Sequence, residues 1–147
     1  MSDKIKILVL CTGNSCRSQM AEGFFRHYGG EKVEVKSAGL EPKGVNPIAI
    51  KVMKEVGIDI SGHTSNHLNE YLKEDFEYVI TVCDDAAKNC PVFPSHPERS
   101  RRATRLHWPF PDPALATGTE SEILKVFRKV RDDIGEKVKG WGGFIVK

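Results

Sequence analysis

The stretch Leu10-Cys11-Thr12-Gly13-Asn14-Ser15-Cys16-Arg17-Ser18 restricts this chain more than any other. Ahead of it, Ile5-Lys6-Ile7-Leu8-Val9-Leu10 is a short, β-branched apolar run that stops at a turn signal, the pattern of a buried strand. Behind it, Met20, Ala21, Phe24 and Phe25 recur at helical spacing. The stretch therefore joins a strand to a helix. Between Cys11 and Arg17 the residues are small or polar, Cys16 apart. The backbone there can curl, aim successive N–H groups at one centre and finish on a helix N-terminus. Such a loop is an oxyanion cradle. A cysteine at its base sits in positive potential, which lowers a thiol pKa from its ordinary value of about 8.5. Arg17 stays charged and can grip two oxygens of a tetrahedral anion. Cys11 is the expected nucleophile, and the loop Thr12, Gly13, Asn14, Ser15, Cys16, Arg17, Ser18 the expected oxyanion site. The Cys16 side chain is read as pointing away and filling space.

Strand and helix signals continue to alternate. A helix over about residues 18–27 ends at Gly29-Gly30. Val33-Glu34-Val35-Lys36-Ser37 alternates as a short strand, and Ala38-Gly39 is read as a turn out of it. Asn46-Pro47 supplies an N-cap and a first-turn proline for a helix carrying Ile48, Ile50, Val52, Met53 and Val56, stopped by Gly57. A weaker helix is expected over 66–74, a central strand over 78–82 and a last, shorter strand over 104–108. The capping box Thr119-Glu120-Ser121-Glu122 opens the longest helix, lined by Ile123, Val126, Phe127, Val130 and Ile134. With 147 residues and no repeat or linker, these elements imply one α/β domain over residues 1–147. Its architecture is expected to be a four-stranded parallel sheet with helices on both faces. Ligands of such sheets collect at the carboxyl ends of the strands, where Cys11 and Cys83 both fall.

A formal net charge of +2 gives no reason to expect nucleic acid or a membrane as partner. The first apolar run is too short for a signal-peptide core or a membrane span, so a cytoplasmic protein is expected. Thiols stay reduced there, which makes the four cysteines candidates for chemistry. The histidines are scattered, and the Cys11–Cys16 and Cys83–Cys90 gaps do not match zinc knuckles, so no metal is expected. Cys83 follows a strand, and Cys90 precedes Pro91. Residues 84–89 read as one or two helical turns. Seven helical residues rise about 10.5 Å, whereas a disulfide needs Cα atoms within about 7 Å, so joining the two would unwind the segment. Taken by themselves they are as readily two unrelated thiols as a redox pair; Cys11 at a neighbouring strand end favours a relay. Asp112, between Pro111 and Pro113, is the candidate general acid, its pKa raised by a bound oxyanion. Arg99, Arg101, Arg102 and Arg105 form a basic cluster, read as a solvated loop with anion steering as a second possibility. Trp141 and Phe144 are read as tail aromatics docked back on the domain.

Cys11-x5-Arg17-Ser18 with Asp112-Pro113 resembles the low-molecular-weight protein tyrosine phosphatase fold. Within that fold, the run from Cys11 to Gly23 is similar to the thioredoxin-coupled arsenate reductases. So are Ser37-Ala-Gly39, Gly44-Val-Asn-Pro47, Cys83-x6-Cys90-Pro91 and His107-Trp-x-Phe-x-Asp-Pro-Ala114. Gln19 also fits the reductases, where the phosphatases usually carry proline. Pro111 departs from the reductases that have a second acid before the aspartate. The resemblance implies arsenate reduction to arsenite for arsenic detoxification. Catalysis would fall to Cys11, Arg17, Asp112, Cys83 and Cys90, with Asn14 bracing the loop and Ser18 donating to the Cys11 sulfur. It implies a Cys11–Cys83 disulfide passed on as Cys83–Cys90, and reduced thioredoxin as electron source in place of a bound cofactor. Phosphate or sulfate would compete with arsenate, weak residual phosphatase activity would remain, and the protein would be a monomer. Two other readings use the same residues: a phosphatase that leaves Cys83 and Cys90 idle, and a thiol redox sensor without arsenate chemistry.

Overall fold

The first apolar run forms strand β1, Ile5–Cys11, and its side chains explain its place. Ile7, Leu8, Leu10 and Val9 are all essentially inaccessible, so the strand is covered on both faces, as only a central strand can be. Each such side chain contributes about 1.5–3 kcal/mol of burial. The computed structural model describes residues 4–83, 94–96 and 101–141. After β1 come α1 (Arg17–Gly29), β2 (Val33–Gly39), α2 (Pro47–Glu55), β3 (Tyr78–Thr81), β4 (Pro94–His96), β5 (Arg101–Arg102), β6 (Thr104–His107) and α3 (Glu120–Lys139).

The main sheet has four strands in the order β2-β1-β3-β6, all parallel. The short β4 and β5 pair antiparallel as a separate ribbon. From β1 the chain goes to β2 on one side and then to β3 on the other. The loops leaving β1 and β3 therefore diverge and open a crevice at the carboxyl edge. Cys11 ends β1 and Cys83 lies two residues beyond β3.

Register sorts the faces. Ile7, Val9, Val35, Ser37, Tyr78 and Ile80 share one face, Leu8, Leu10, Lys36, Ala38 and Val79 the other. Among the described residues the three α-helices pack on one another on the first face, where Arg26 of α1 donates to Val35 O and Arg131 of α3 donates to Val52 O of α2. On the second face lies the 3-10 helix Leu68–Tyr71, with the Lys6 ammonium over the Phe76 ring and Lys36 over Tyr71. Among the described residues no helix is long and apolar enough to cross a membrane.

Two helix starts follow their local chemistry. Asn46 accepts from the amides of Ile48 and Ala49 ahead of Pro47, and Thr119 with Glu122 closes a reciprocal capping box. The helix expected over 66–74 is corrected to the four-residue 3-10 turn, because Asn66 is drawn away from it and His67 stays extended as its N-cap. Asn66 N donates to Asn14 Oδ1 and Asn66 O accepts from Gly39 N, which holds the chain extended just before the turn. Gly39 is likewise no turn residue; it pairs with Cys11 as the last residue of β2. The helical turns read into residues 84–89, and Phe144, lie outside the described residues.

Candidate active site

The loop after β1 curls back on its own cysteine. Asn14 takes a left-handed backbone conformation, φ 48°, and its amide donates to Cys11 Sγ at 3.1 Å. Left-handed backbone is tolerated by asparagine better than by most side chains. Ser18 Oγ lies 2.9 Å from the same sulfur and accepts from Asn14 Nδ2 at 2.8 Å, which leaves the serine proton for the sulfur. Cys11 is therefore held at the floor by two donors, and it is buried.

What faces the centre of the loop is decided by what its carbonyls do. Cys11 O accepts from Leu40 N, Thr12 O from Glu41 N, Gly13 O from Lys43 N and Ser15 O from Asn46 N. Residues 40–46 thus run alongside the cradle as a backbone seam. Gly13 O and Asn14 O also take the Ser65 hydroxyl, and Asn14 O takes Gln19 Nε2. In a trans peptide the carbonyl and the next amide point opposite ways. With the carbonyls of residues 11–15 bonded outward, the amides of residues 12–16 turn inward. Those of Thr12, Gly13, Ser15 and Cys16 meet no acceptor among the described residues. Converging, unengaged amides over a helix N-terminus make a cradle for an anion.

A buried polar chain braces this loop from behind. Asn14 Nδ2 also reaches Ser37 Oγ at 2.9 Å, and Ser37 donates to Glu22 Oε1 at 2.6 Å. Arg26 pairs with Glu22 Oε2 at 2.7 Å. Gln19, fully buried, splits its amide between Asn14 O and Thr64 O while its Oε1 meets His63 Nδ1 at 3.0 Å. Burial holds the His63 imidazole below its usual pKa against the pull of Glu22.

A cleft of about 560 Å³ opens above the cradle, lined among others by Cys11, Arg17, Lys43, Cys83, Asp112 and Leu115. Arg17 begins α1; its Nη1 donates to Phe110 O at 3.1 Å and its Nη2 lies 3.6 Å from Asp112 Oδ2. Asp112 Oδ1 accepts from Ala114 N and caps the 3-10 turn Pro113–Leu115, so both carboxylate oxygens are oriented. Cys83 Sγ sits 3.2 Å from Thr12 Oγ1, which brings a second thiol to the cradle wall. Cys16 is buried beside Ser15, and desolvation pushes its thiol up to about 12, so it stays protonated and inert.

The structure thus gathers Cys11, Thr12, Gly13, Ser15, Cys16, Arg17, Cys83 and Asp112 around one cleft, with Asn14 and Ser18 buried behind the Cys11 sulfur. Cys90 lies outside the described residues, as do the side chains of Arg99, Arg101 and Arg102; Arg105 is exposed on β6. Ser65, His63, Thr64 and Lys43 were not singled out from sequence. They lie far along the chain from the loop they touch and carry no local signature. Among the described residues no three His, Cys, Asp or Glu side chains gather as a metal site.

The sequence and the fold both have known relatives. Residues 6–145 match the family of low molecular weight phosphotyrosine protein phosphatases. This chain belongs to that family. The chain is similar to the arsenate reductase of Shouchella clausii strain KSM-K16, 52% identical over 139 residues that cover 95% of each chain. A solved arsenate reductase in the phosphate binding state is 40% identical, covers 92% of this chain and 94% of its own, and superposes with a TM-score of 0.74. A thioredoxin-dependent arsenate reductase of Corynebacterium glutamicum superposes at 0.58 with 26% identity, over 94% of this chain and 63% of its own. A chain of the phosphatase family is therefore similar, over most of its length, to proteins named arsenate reductases.

Proposed function

We propose that this chain reduces arsenate to arsenite by an intramolecular thiol relay recycled by thioredoxin. The observation that carries the reading is Cys83, a second thiol bonded to the cradle residue Thr12 in the wall of the Cys11 cleft. A phosphatase has no use for it. In the first step the Cys11 thiolate attacks arsenic while the inward amides and Arg17 hold the oxygens. Asp112 protonates the oxygen that leaves as water. Cys83 then attacks the Cys11 sulfur; the As–S bond breaks, its electron pair stays on arsenic, and arsenite departs. Cys90 next attacks Cys83, freeing Cys11 and leaving a Cys83–Cys90 disulfide. A thioredoxin dithiol reduces that bond by exchange and takes up the disulfide itself. The cycle needs no resident cofactor and suits a cytoplasmic monomer that removes arsenic. The relatives named arsenate reductases support this reading, as does the one named thioredoxin-dependent.

Cys90→Ser provides the test, because it separates one turnover from many. The variant should release one arsenite per enzyme and stall as a Cys11–Cys83 disulfide, while Cys11→Ser releases none. Continued thioredoxin-driven turnover by Cys90→Ser would overturn the relay. Turnover of an aryl phosphate without reductant, together with no arsenate-dependent oxidation of thioredoxin, would instead select the phosphatase that the family name describes.

A further inference from the structure

Among the described residues, three charged side chains line the cleft: Arg17, Asp112 and Lys43. The first two face each other at 3.6 Å, and Arg17 also donates to Phe110 O. Part of the guanidinium's donor set thus already serves the loop that carries Asp112, and its charge is offset by that neighbour. Lys43 has no carboxylate within ion-pair distance among the described residues. Among the described residues that line the cleft, it is the charge with no ion-pair partner.

Its placement is fixed by the backbone seam. Lys43 N donates to Gly13 O at 2.9 Å, between the Glu41–Thr12 and Asn46–Ser15 bonds. The side-chain stem then lies along the cradle, its Cδ and Cγ 3.5 and 3.6 Å from where a Cβ on Gly13 would stand. A lysine tethered through its own amide and laid across Gly13 holds its ammonium near the rim, whatever the rotamers of the tip.

We propose that Lys43 is a substrate-binding residue, a capture cation that draws the oxyanion to the cradle and sets its affinity without taking part in bond-making. The inference rests on the oxyanion site described above and deepens the reductase reading. Arsenate is anionic near neutral pH, whereas arsenous acid is uncharged. A rim cation therefore pulls the substrate in and has no hold on the product. For a phosphate ester the same cation would retain the product, inorganic phosphate, as firmly as it attracts the substrate. Lys43 thus favours a reaction that discharges its substrate. Because the side chain is exposed, it acts through water, so its effect is modest and falls with salt.

The test compares Lys43→Gln and Lys43→Arg with wild type in two arms. In the first, iodoacetamide alkylation of Cys11, read by peptide mass, is followed against inorganic phosphate at low and high ionic strength. At low salt the half-protecting phosphate concentration should rise about three- to tenfold in Lys43→Gln, the factor a single charge supplies near a surface. It should return to the wild-type value in Lys43→Arg, and the gap should narrow at high salt. In the second arm, the KM for arsenate should rise by the same factor in Lys43→Gln while kcat holds. Equal phosphate protection of wild type and Lys43→Gln at low salt would overturn the proposal. So would a Lys43→Arg variant as weak as Lys43→Gln, or a fall in kcat at constant KM. If wild type fails to turn over arsenate, the first arm still decides on Lys43, and the reductase reading falls alone.

Discussion

Gly39 shows how little room the site leaves. A Cβ there would stand 2.6 Å from Thr12 O and 2.8 Å from Asn14 N, both backbone atoms of the cradle. Neither can swing aside as a side-chain tip would, so Gly39→Ala must push the Thr12–Asn14 peptides off their positions. The amide that meets Cys11 Sγ would move with them. A displacement of this kind costs about 100-fold in rate, and the crowding about 1–3 kcal/mol of stability. Steady-state kinetics and urea titration of the variant check both figures; near-normal kcat/KM would show that the loop can yield. The same residue marks what a sequence conceals. Cys11, Arg17 and Asp112 were legible because each comes with its own local context: a strand end, a small-residue loop, flanking prolines. The glycine at position 39 looked like a turn residue because glycines often are. Its true reason is a neighbour twenty-five residues earlier, and no local pattern carries that. Ser65, His63 and Lys43 were hidden for the same cause.

At the scale of elements, caps and periodicity were reliable guides where helices are decided by their own ends, as at Asn46 and Thr119. They failed over 66–74, where the cradle takes Asn66 for itself. How α2 and α3 lock together was also invisible beforehand. Glu55, the last residue of α2, accepts from Arg128 Nε and Nη2 at 3.0 and 2.7 Å and from Arg131 Nη1 at 2.8 Å. Those contacts, the Arg128 hydrogen bonds foremost, lower the Glu55 pKa from 4.5 to about 2. A carboxylate whose pKa is depressed on folding stabilises fully above its unfolded value and loses that contribution as pH falls through the folded one. The clamp should therefore act above pH 4.5 and fade between 4.5 and about 2. Glu55→Gln should lower the urea midpoint at pH 6 and flatten its dependence across that acid window. The clamp is refuted if variant and wild type have parallel profiles from pH 6 to 2.

Across the whole molecule, alternation of strand and helix signals was enough to predict a parallel four-stranded sheet, because parallel strands need crossovers and the crossovers were visible. The β4–β5 ribbon was not foreseen, since its strands are too short for any period to show. Just after α3, Trp141 meets Phe25, Tyr78 and Trp108 edge-on at centroid distances of 5.5, 4.9 and 6.2 Å. It thereby ties α1, β3 and the segment after β6 to the end of α3. Trp141→Ala should cost about 2–3 kcal/mol, below the range for a fully buried tryptophan because Trp141 is only half-buried. A denaturation midpoint unchanged from wild type would place the tail outside the core. The cradle, too, is assembled from three distant segments, residues 11–17, 40–46 and 64–66, and one consequence follows for its behaviour in water. Stiffness and protection from hydrogen exchange ordinarily go together, because backbone amides are held by the bonds that shield them. Here the carbonyls take the holding bonds while the amides of Thr12, Gly13, Ser15 and Cys16 take none among the described residues, so four amides of one of the most firmly fixed loops in the protein trade their protons with bulk solvent whenever no anion covers them.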